Sequence, residues 1–266
     1  MTRIIAITNQ KGGVGKTTTC VNLAASLAAT RRSVLLIDFD PQGNATMGSG
    51  VDKHELETSA YHLLMEDLPV EQIIVDAADA GYHLLPGNSD LTAAEVQLMQ
   101  VAGRETRLRE RLAPVADRYD YILIDCPPSL NVLTVNALTA AEAVLIPIQC
   151  EYYALEGLSA LLETVDQIRA AVNPDLQVEG LLRTMFDARN NLATEVSDQL
   201  LEHFGDSVYR TIIPRNVRLA EAPSHGAPII KYDRASRGAI AYLALAGELV
   251  RREQERTQPS QEPARA

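Results

Sequence analysis

The sequence has few cysteines and no long apolar run, and both absences exclude classes of protein. Its three cysteines, Cys20, Cys126 and Cys150, lie far apart and form no CxxC pair. An odd number of widely spaced cysteines is typical of reduced, buried thiols rather than of a disulfide framework. No apolar stretch approaches the roughly 18 residues that a membrane span needs, and no signal-peptide pattern is visible. We therefore expect a cytoplasmic protein.

Histidine and positive charge are also scarce. The five histidines are scattered along the 266 residues, which argues against a zinc or iron site. The formal net charge is −11, so the chain does not coat nucleic acid through its overall charge. Residues 206–252 are an exception, with eight Lys or Arg against four Asp or Glu, a local charge of +4. A local basic face on an acidic protein remains compatible with this distribution.

Short apolar runs alternate with longer helical patterns along the chain. This alternation predicts βαβ units and a doubly wound, mostly parallel α/β sheet with helices on both faces. The predicted strands are 4–8, 33–39, 82–85, 121–125, 143–148, 178–186 and 208–213. We predict a single domain over residues 1–253. The polar, proline-containing residues 254–266 are predicted to be a disordered tail.

A glycine-rich segment, QKGGVGKTT at residues 10–18, lies between the first predicted strand and a helical pattern. Glycines in this context let backbone N–H groups surround an anion at the positive end of the helix. In such a phosphate loop Lys16 reaches the β- and γ-phosphates and the Thr17 hydroxyl ligates Mg²⁺. The common pattern has glycine where this chain has Gln10, and Lys11 is an additional lysine. The predicted nucleotide-binding residues of the loop are Lys11, Gly12, Gly13, Val14, Gly15, Lys16, Thr17 and Thr18.

Two further predicted strands carry an aspartate at or next to their carboxyl end, and a third acid follows one of them. Asp38 and Asp125 each follow an apolar run, and Asp40 lies on the loop just after Asp38. Ligands of parallel sheets bind beyond the carboxyl ends of the strands, so these acids are expected near the phosphate loop. Asp125 has the position of a Walker B acid. We predict a magnesium site at Thr17, Asp38 and Asp125, with Asp38 supporting either the metal or the loop.

The motifs KGGVGKTT, DFDPQGN, IDCPPSL, TMFDARNN and IPRNVRLAEAPSHG follow one another along nearly the whole chain. With them the chain resembles the ParA/MinD family of ATPases with a deviant Walker A motif, in particular its chromosomal ParA (Soj) subgroup. The resemblance implies an ATP hydrolase that uses ATP and Mg²⁺, with Lys11, Lys16 and Asp40 as catalytic residues. By resemblance, Lys11 would reach across a nucleotide-sandwich homodimer to the partner's phosphates. Asp40, in switch I, would position or polarise the attacking water.

The same resemblance implies further contacts and partners. Pro214 and Asn216 would contact adenine, although a loop that merely covers the sheet is the simpler interpretation of that segment. The subgroup partitions chromosomes or plasmids, which implies non-specific binding of double-stranded DNA by the ATP dimer and a ParB-type centromere-binding protein that stimulates hydrolysis. Arg189 and Arg218 align with arginines implicated in DNA binding, and Arg215 extends that face. We thus expect association with the nucleoid.

The sequence argues against two of three other functions and leaves the third open. A MinD-like ATPase that binds membrane needs an amphipathic C-terminal helix, whereas residues 256–266 contain no large apolar residue. A cluster-carrying relative similar to the nitrogenase iron protein needs cysteines at a shared surface, but Cys126 and Cys150 lie in core-like sequence. A nucleotide-gated scaffold for another cargo stays open, because docking surfaces leave little local signature.

Overall fold

The computed structural model describes residues 2–257, which contain one seven-stranded sheet. The strand order is β3-β4-β2-β5-β1-β6-β7, and every neighbouring pair is parallel except β3 with β4. The strands are β1 (Arg3–Ile7), β2 (Val34–Asp38), β3 (Val75–Ala77), β4 (Tyr82–Leu85), β5 (Tyr121–Asp125), β6 (Ala143–Gln149) and β7 (Gln177–Thr184). The predicted doubly wound, mostly parallel α/β fold is confirmed.

Helices cover both faces of this sheet. They are α1 (Lys16–Ala29), α2 (Asn44–Gly48), α3 (Ala60–Met65), α4 (Leu91–Leu98), α5 (Arg107–Leu112), α6 (Val132–Ala140), α7 (Ala154–Ala171), α8 (Asn191–Phe204), α9 (Val217–Glu221), α10 (Ile229–Tyr232) and α11 (Arg237–Thr257). Residues of α3 to α8 pack into one apolar core, and residues of α1, α2 and α9 to α11 pack into the other.

The strand β2 shows why the central strands are apolar throughout. Leu35 and Ile37 belong to the core under α3 to α8, whereas Leu36 belongs to the core under α1 and α11. Consecutive side chains of a strand point to opposite faces, so a strand covered on both sides needs apolar residues at every position. All three side chains are fully buried.

The register of the central strands fixes the position of two acids. Asp125, at the carboxyl end of β5, pairs with Ile7 of β1 on one side and with Asp38 of β2 on the other. From β1 the chain continues to β2 on one side, whereas β6 and β7 lie on the other side. Ligands of open α/β sheets bind outside the carboxyl ends of the strands at such a switch point.

The prediction of a strand at 208–213 was wrong. This segment runs beside β7 and makes isolated bridges at Val208 and Pro214, without a continuous ladder. Between them, the backbone N–H groups of Arg210 and Thr211 donate to the buried carboxylate of Glu248 at 2.9 and 2.8 Å. Those N–H groups therefore cannot pair with β7. The short strand β3, with an aspartate at its centre, was not predicted.

The predicted domain boundary at residue 253 falls inside α11, which continues to Thr257. Arg256 explains why the helix continues, because its guanidinium donates to the buried carboxylate of Glu179 at 2.6 Å. The rest of the predicted tail, 258–266, lies outside the described residues. Within the described part of the chain, no helix has the length and apolarity to cross a membrane. Cys20, Cys126 and Cys150 are buried and free, as predicted.

Substitutions at two glycines test how tightly the chain packs around Asp38. A Cβ on Gly87 would lie 2.3 Å from the backbone oxygen of Asp38, whereas Gly157 in α7 has open space around it. We expect Gly87→Ala to lower the free energy of unfolding by about 1–3 kcal/mol. Gly157→Ala, the control, should raise it by about 0.5–1 kcal/mol because alanine favours a helix interior. Urea unfolding measures both, and an unchanged midpoint for Gly87→Ala would contradict the tight packing.

Candidate functional site

The loop between β1 and α1 has the backbone of an anion-binding site. Gly13 and Gly15 adopt left-handed conformations, with φ of 74° and 87°, which glycine allows at low cost. Gly15 caps the amino end of α1, and within residues 2–257 no side chain caps that end. The first backbone N–H groups of α1 therefore face outward from the helix, at the positive end of its dipole. This arrangement suits a phosphate group.

Two buried polar residues hold the loop against the sheet. Asn9 accepts a hydrogen bond from the Lys11 N–H at 2.9 Å and donates from Nδ2 to the carbonyl of Pro147 in β6 at 2.8 Å. Thr184, at the end of β7, donates to the carbonyl of Val14 at 2.8 Å. Sequence reasoning missed Asn9 and Thr184. Their signal is a polar residue at the end of an apolar strand, which spacing alone does not distinguish from a loop residue.

The two lysines of the loop occupy different environments. Lys16 is buried, and its Nζ donates to the carbonyl oxygen of Lys11 at 3.1 Å. Burial lowers the pKa of Lys16, while the nearby Asp125 opposes that shift. The side chain of Lys11 is 43% exposed at the rim and forms an ion pair with Glu151. Lys16 thus lies where a bound phosphate would be, whereas Lys11 points away from it.

Asp38 is buried and its carboxylate organises the following loop. One oxygen accepts from the Thr46 N–H and hydroxyl, both at 2.7 Å, and the other accepts from the Asp40 N–H at 3.3 Å. Burial raises the pKa of Asp38 to about 7, although the Thr46 hydrogen bonds counteract the shift. These contacts favour the loop-supporting half of the prediction for Asp38, while a magnesium role for it stays a prediction.

Asp125 has one satisfied and one unsatisfied carboxylate oxygen. Oδ1 accepts from the Cys20 thiol at 3.4 Å, and Oδ2 is buried without a hydrogen-bond partner among the described residues. Burial raises the pKa of Asp125 well above its usual range, the Asp38 charge adds to this, and the nearby Thr17 hydroxyl opposes it. A buried carboxylate oxygen without a partner is what a cation would satisfy.

These residues fit Mg²⁺ held jointly with a nucleotide. Among residues 2–257 there is no group of three or more acidic, His or Cys side chains that could hold a metal alone. Magnesium is ordinarily bound through one or two carboxylates together with substrate phosphates and water, so no larger protein cluster is needed. Asp125 and Thr17 would hold the metal, with Asp38 behind them.

A cavity of about 500 Å³ brings several predicted residues together. Its phosphate end is lined by Gly12, Gly13, Gly15, Lys16, Thr17 and Thr18, with Asp40 beside them. Its other end is lined by Met185, Ile213, Pro214, Arg215, Asn216, Leu219, Ala220 and Tyr242. Val14 does not line the cavity, because its side chain is buried and its carbonyl oxygen accepts from Thr184. The size and the two-ended lining suit a nucleoside polyphosphate.

At the far end of this cavity, Asn216 begins α9. Its side-chain oxygen accepts from the Leu219 N–H at 3.1 Å and so caps the helix. The oxygen is thereby engaged, and the Asn216 amide NH₂ is the group left to donate to a base. This arrangement is compatible with the predicted adenine contact, which stays a prediction.

Of the three arginines predicted to bind DNA, Arg189 and Arg215 lie on loops and Arg218 lies in α9, and each is close to an acidic residue. Arg189 donates twice to Asp187, at 2.9 and 2.7 Å, and is 90% exposed. Arg218 is bound to Glu221 at 2.8 Å. Hydrogen bonds from Arg189, and to a smaller degree the charge of Arg215, hold the pKa of Asp187 well below its usual range. Any DNA phosphate would compete with these carboxylates.

Comparisons with known proteins extend over nearly the full chain. A family profile described as an AAA domain matches residues 2–178. The chain is 55% identical over 249 residues to the sporulation initiation inhibitor protein Soj of Bacillus subtilis, covering 94% of this chain and 98% of that protein. It is 53% identical over 251 residues to the chromosome partitioning protein ParA of Myxococcus xanthus, covering 94% and 89%. A solved structure of cobyrinic acid a,c-diamide synthase from Mycobacterium smegmatis, with a bound ATP analogue and magnesium, has a TM-score of 0.84 and 38% identity and covers 96% of each chain.

The separate environments of the two lysines give a first prediction. Lys16→Gln should weaken nucleotide binding by the monomer about tenfold or more, because a charge-assisted contact to phosphate is lost. Lys11→Gln should change that affinity by less than about twofold, because Lys11 points to Glu151. Calorimetric titration with ADP at a protein concentration that keeps the chain monomeric compares the two. Equal losses would contradict the division between the lysines.

The cap at Asn216 gives a second prediction. Asn216→Asp keeps a capping oxygen but removes the NH₂ donor, whereas Asn216→Ala removes both. We expect both variants to bind ADP about 5–10-fold more weakly, since each loses one hydrogen bond to the base. The Ala variant alone should lose about 1 kcal/mol of stability through the lost cap. Nucleotide titration together with urea unfolding separates the effects, and unchanged affinity in the Asp variant would remove Asn216 from the base site.

Proposed function

The chain belongs to the ParA/MinD family of P-loop ATPases, and we propose that its ATP-bound sandwich dimer binds double-stranded DNA without sequence preference until a ParB-type protein stimulates hydrolysis. It is a partition-type ATPase that hydrolyses ATP with Mg²⁺. The proposed dimer, DNA and ParB contacts together make it a chromosome or plasmid segregation protein that works in the cytoplasm on the nucleoid.

The position of Lys11 carries the proposal of a dimer. Lys11 precedes Gly12, which lines the cavity, but does not line the cavity itself, and its ammonium is paired with Glu151. Directly after Glu151 in the chain, Tyr152 and Tyr153 are 75% and 68% exposed. Exposed apolar side chains grouped beside a site favour a protein partner. A second copy facing this rim would cover them and bring its own Lys11 to the nucleotide.

Within such a dimer each residue has a distinct task. The glycine loop and Lys16 bind the β- and γ-phosphates, and Thr17 and Asp125 hold the metal. Mg²⁺ neutralises part of the negative charge on the phosphates. Asp40, buried beside the phosphate end, accepts from the Gln42 N–H at 2.9 Å through one oxygen and keeps its other oxygen to orient the attacking water. Lys11 of the partner subunit would add positive charge where the transition state gathers negative charge.

Contacts beyond Asp40 support a link between the nucleotide and the DNA face. Asp38 binds Thr46 at the start of α2, so a change at residues 38–40 moves this helix. Just after α2, Gly50 packs directly on Gly226, where an added Cβ would meet the Gly226 carbonyl at 2.9 Å. Gly226 ends the short turn that follows α9, the helix that carries Arg218. In this proposal, a rearrangement on binding ATP is transmitted along these contacts to α9 and its Arg218.

The salt concentration and the number of joined subunits would control how strongly this acidic chain binds DNA. Because Arg189 and Arg218 are paired with acids of the same subunit, a single subunit offers few uncompensated charges. Each phosphate contact adds affinity that falls with salt, and joining two subunits multiplies the effective affinity. The ATP dimer is therefore expected to bind DNA well and the monomer poorly.

The test combines turnover with DNA binding. ATPase activity is measured with and without random-sequence DNA and with a ParB-type protein, if the genome encodes one beside this chain. Synergistic stimulation is the expected result. No response to either addition would instead favour a scaffold for another cargo.

Charge reversal at Arg218 tests the DNA face itself. Arg218→Glu should weaken ATP-dependent binding of random-sequence DNA about tenfold or more at low salt while leaving dimerisation intact. Arg118→Glu is the matched control, because Arg118 is 57% exposed against 55% for Arg218 and is also ion-paired, but precedes β5 at the amino ends of the strands. Fluorescence anisotropy of labelled DNA measures both. Equal weakening in the two variants would mean that overall charge, not this face, governs binding.

A further inference from the structure

A second cavity, of about 970 Å³, lies at the edge of the sheet beside β7. Its walls include residues of β7, of the segment 205–210 that runs along this edge, and of the carboxyl-terminal part of α11. It shares no lining residue with the nucleotide cavity. A cavity of this size can enclose a small ligand, and guanidinium groups favour phosphates and carboxylates. Five arginines line it: Arg183, Arg210, Arg251, Arg252 and Arg256.

Arg183, in β7, is a buried cation that no carboxylate contacts. The residue is 5% exposed, and burial lowers the pKa of its guanidinium. Nη1 donates to the Ser197 hydroxyl and Nη2 to the carbonyl of Tyr209, both at 2.9 Å, while the buried Nε has no hydrogen-bond partner among residues 2–257. The acids whose charges act on it, Glu248 and Asp198, form no hydrogen bond with it. A buried charge is ordinarily paired, because removing an ion from water is costly.

The two buried acids of the cavity are already bound to other cations. Glu179 accepts from Arg256 at 2.6 Å and from Arg3 at 3.1 Å. Glu248 accepts from Arg252 at 2.9 Å and from two backbone N–H groups of the segment 205–213. Neither carboxylate is therefore left to neutralise a further arginine of the lining.

Arg210 is the second arginine of the cavity without a counterion. It is exposed, and among the described residues its side chain has no hydrogen bond or ion pair. Its backbone carbonyl lies 3.5 Å from Nη2 of Arg183, so the two residues belong to the same part of the cavity. Of the remaining charges, Arg251 lies 4.0 Å from Glu255, and Asp206 is an exposed acid. The cavity thus has two neighbouring positive charges that no carboxylate contacts.

We propose that this cavity is a second anion site, which binds a small molecule carrying a phosphate or diphosphate group through Arg183 and Arg210. The proposal goes beyond the partition function and rests on none of the dimer, DNA or ParB contacts. The neutral partners of Arg183 hold its guanidinium in place, and the anion supplies the negative charge that it lacks. Two neighbouring cations match the nearly double negative charge of a phosphate group at neutral pH.

A small ligand suits this cavity better than double-stranded DNA does. The phosphates of DNA lie on the outside of a stiff double helix, which does not bend into a cavity at the edge of a sheet. Arg183 is 5% exposed, so a ligand must enter the cavity to approach it. Exposed arginines such as Arg189, in contrast, are open to a DNA backbone.

The side-chain signal of Arg183 gives a direct test in the full chain. Inorganic pyrophosphate is added at constant ionic strength without Mg²⁺, and the Nε–H signals of the arginines are followed by ¹⁵N–¹H spectroscopy. The Arg183 signal, assigned by its absence from Arg183→Met, should shift to saturation with a midpoint below about 1 mM. No saturable shift up to about 10 mM would overturn the proposal.

The same titration in Lys16→Gln separates this site from the nucleotide site. Pyrophosphate also suits the phosphate loop, but the second cavity does not include Lys16. The midpoint at Arg183 should therefore stay within about twofold of the wild type. Loss of the shift in Lys16→Gln would assign it to the nucleotide site and overturn the proposal. A chain that fails to bind ADP but keeps the Arg183 shift would contradict the proposed function alone.

Substitution of Arg210 tests the second charge in the Lys16→Gln background. Arg210→Ser should raise the pyrophosphate midpoint at Arg183 about tenfold, because one charge-assisted contact is lost. Arg109→Ser is the matched control, since Arg109 is also exposed and has no side-chain partner among the described residues, but lies in α5. Equal weakening in both variants would mean that overall charge governs binding, and would contradict a built site.

Removal of the buried charge gives an independent readout in the same background. Without ligand, Arg183→Met should melt at or above the temperature of its parent, because a buried cation without a counterion is replaced by an apolar chain. Pyrophosphate should raise the melting temperature of the parent but not that of Arg183→Met. An equal rise in both would overturn the role of Arg183. If Arg183→Met does not fold, Arg210→Ser still decides.

Random-sequence double-stranded DNA tests the other class of ligand. The duplex should leave the Arg183 signal in place at concentrations that saturate binding by the ATP-bound chain. A shift caused by DNA but not by pyrophosphate would make these arginines part of a DNA face and would overturn the proposal of a small-molecule site.

Discussion

The carboxylates of Asp38 and Asp125 are buried side by side, and most of the site compensates for their charges. The pairing of β2 with β5 places the two residues opposite one another, and burial raises the pKa of Asp38 to about 7 and that of Asp125 well above its usual range. Thr46 and the Asp40 N–H satisfy Asp38, whereas Asp125 keeps one oxygen without a partner in the described residues. The site therefore favours a cation at Asp125. The same pair of carboxylates also holds the loop of residues 39–46 through Asp38, so a metal ion, the nucleotide and this loop meet at one place.

The end of β7 connects the two halves of the nucleotide cavity. Thr184 binds the phosphate loop, Phe186 binds the segment that carries Pro214 and Asn216, and Met185 between them has a positive φ of 48°, which is unfavourable for a residue other than glycine. Such an arrangement fixes the distance between the phosphate and base ends before a ligand binds. Preorganisation of this kind lowers the ordering cost of binding.

An acidic chain with a few arginines near its nucleotide site suits DNA binding that depends on the bound nucleotide better than constant DNA binding. Each of these arginines lies close to an acid of its own subunit, so DNA must displace or share these pairs. Exposed ion pairs contribute little to stability, so little free energy is lost when a DNA phosphate replaces the carboxylate. The proposed dimer would present two such faces at once. The half-exposed Lys11 and the two exposed tyrosines near it are explained by the same assembly.

Local patterns in the sequence determined much of this protein. The strands Tyr82–Leu85 and Tyr121–Asp125 have the predicted bounds, because an uninterrupted apolar run specifies its own structure. The glycine loop was equally visible, because phosphate binding needs particular residues at fixed spacing. Only the tertiary structure decided which distant groups meet. Glu248 interrupts the predicted strand at 208–213 from α11, Asn9 and Thr184 hold the loop from neighbouring strands, and Met185 is constrained by contacts on both sides. These roles depend on contacts between residues far apart in the chain, which no local pattern records.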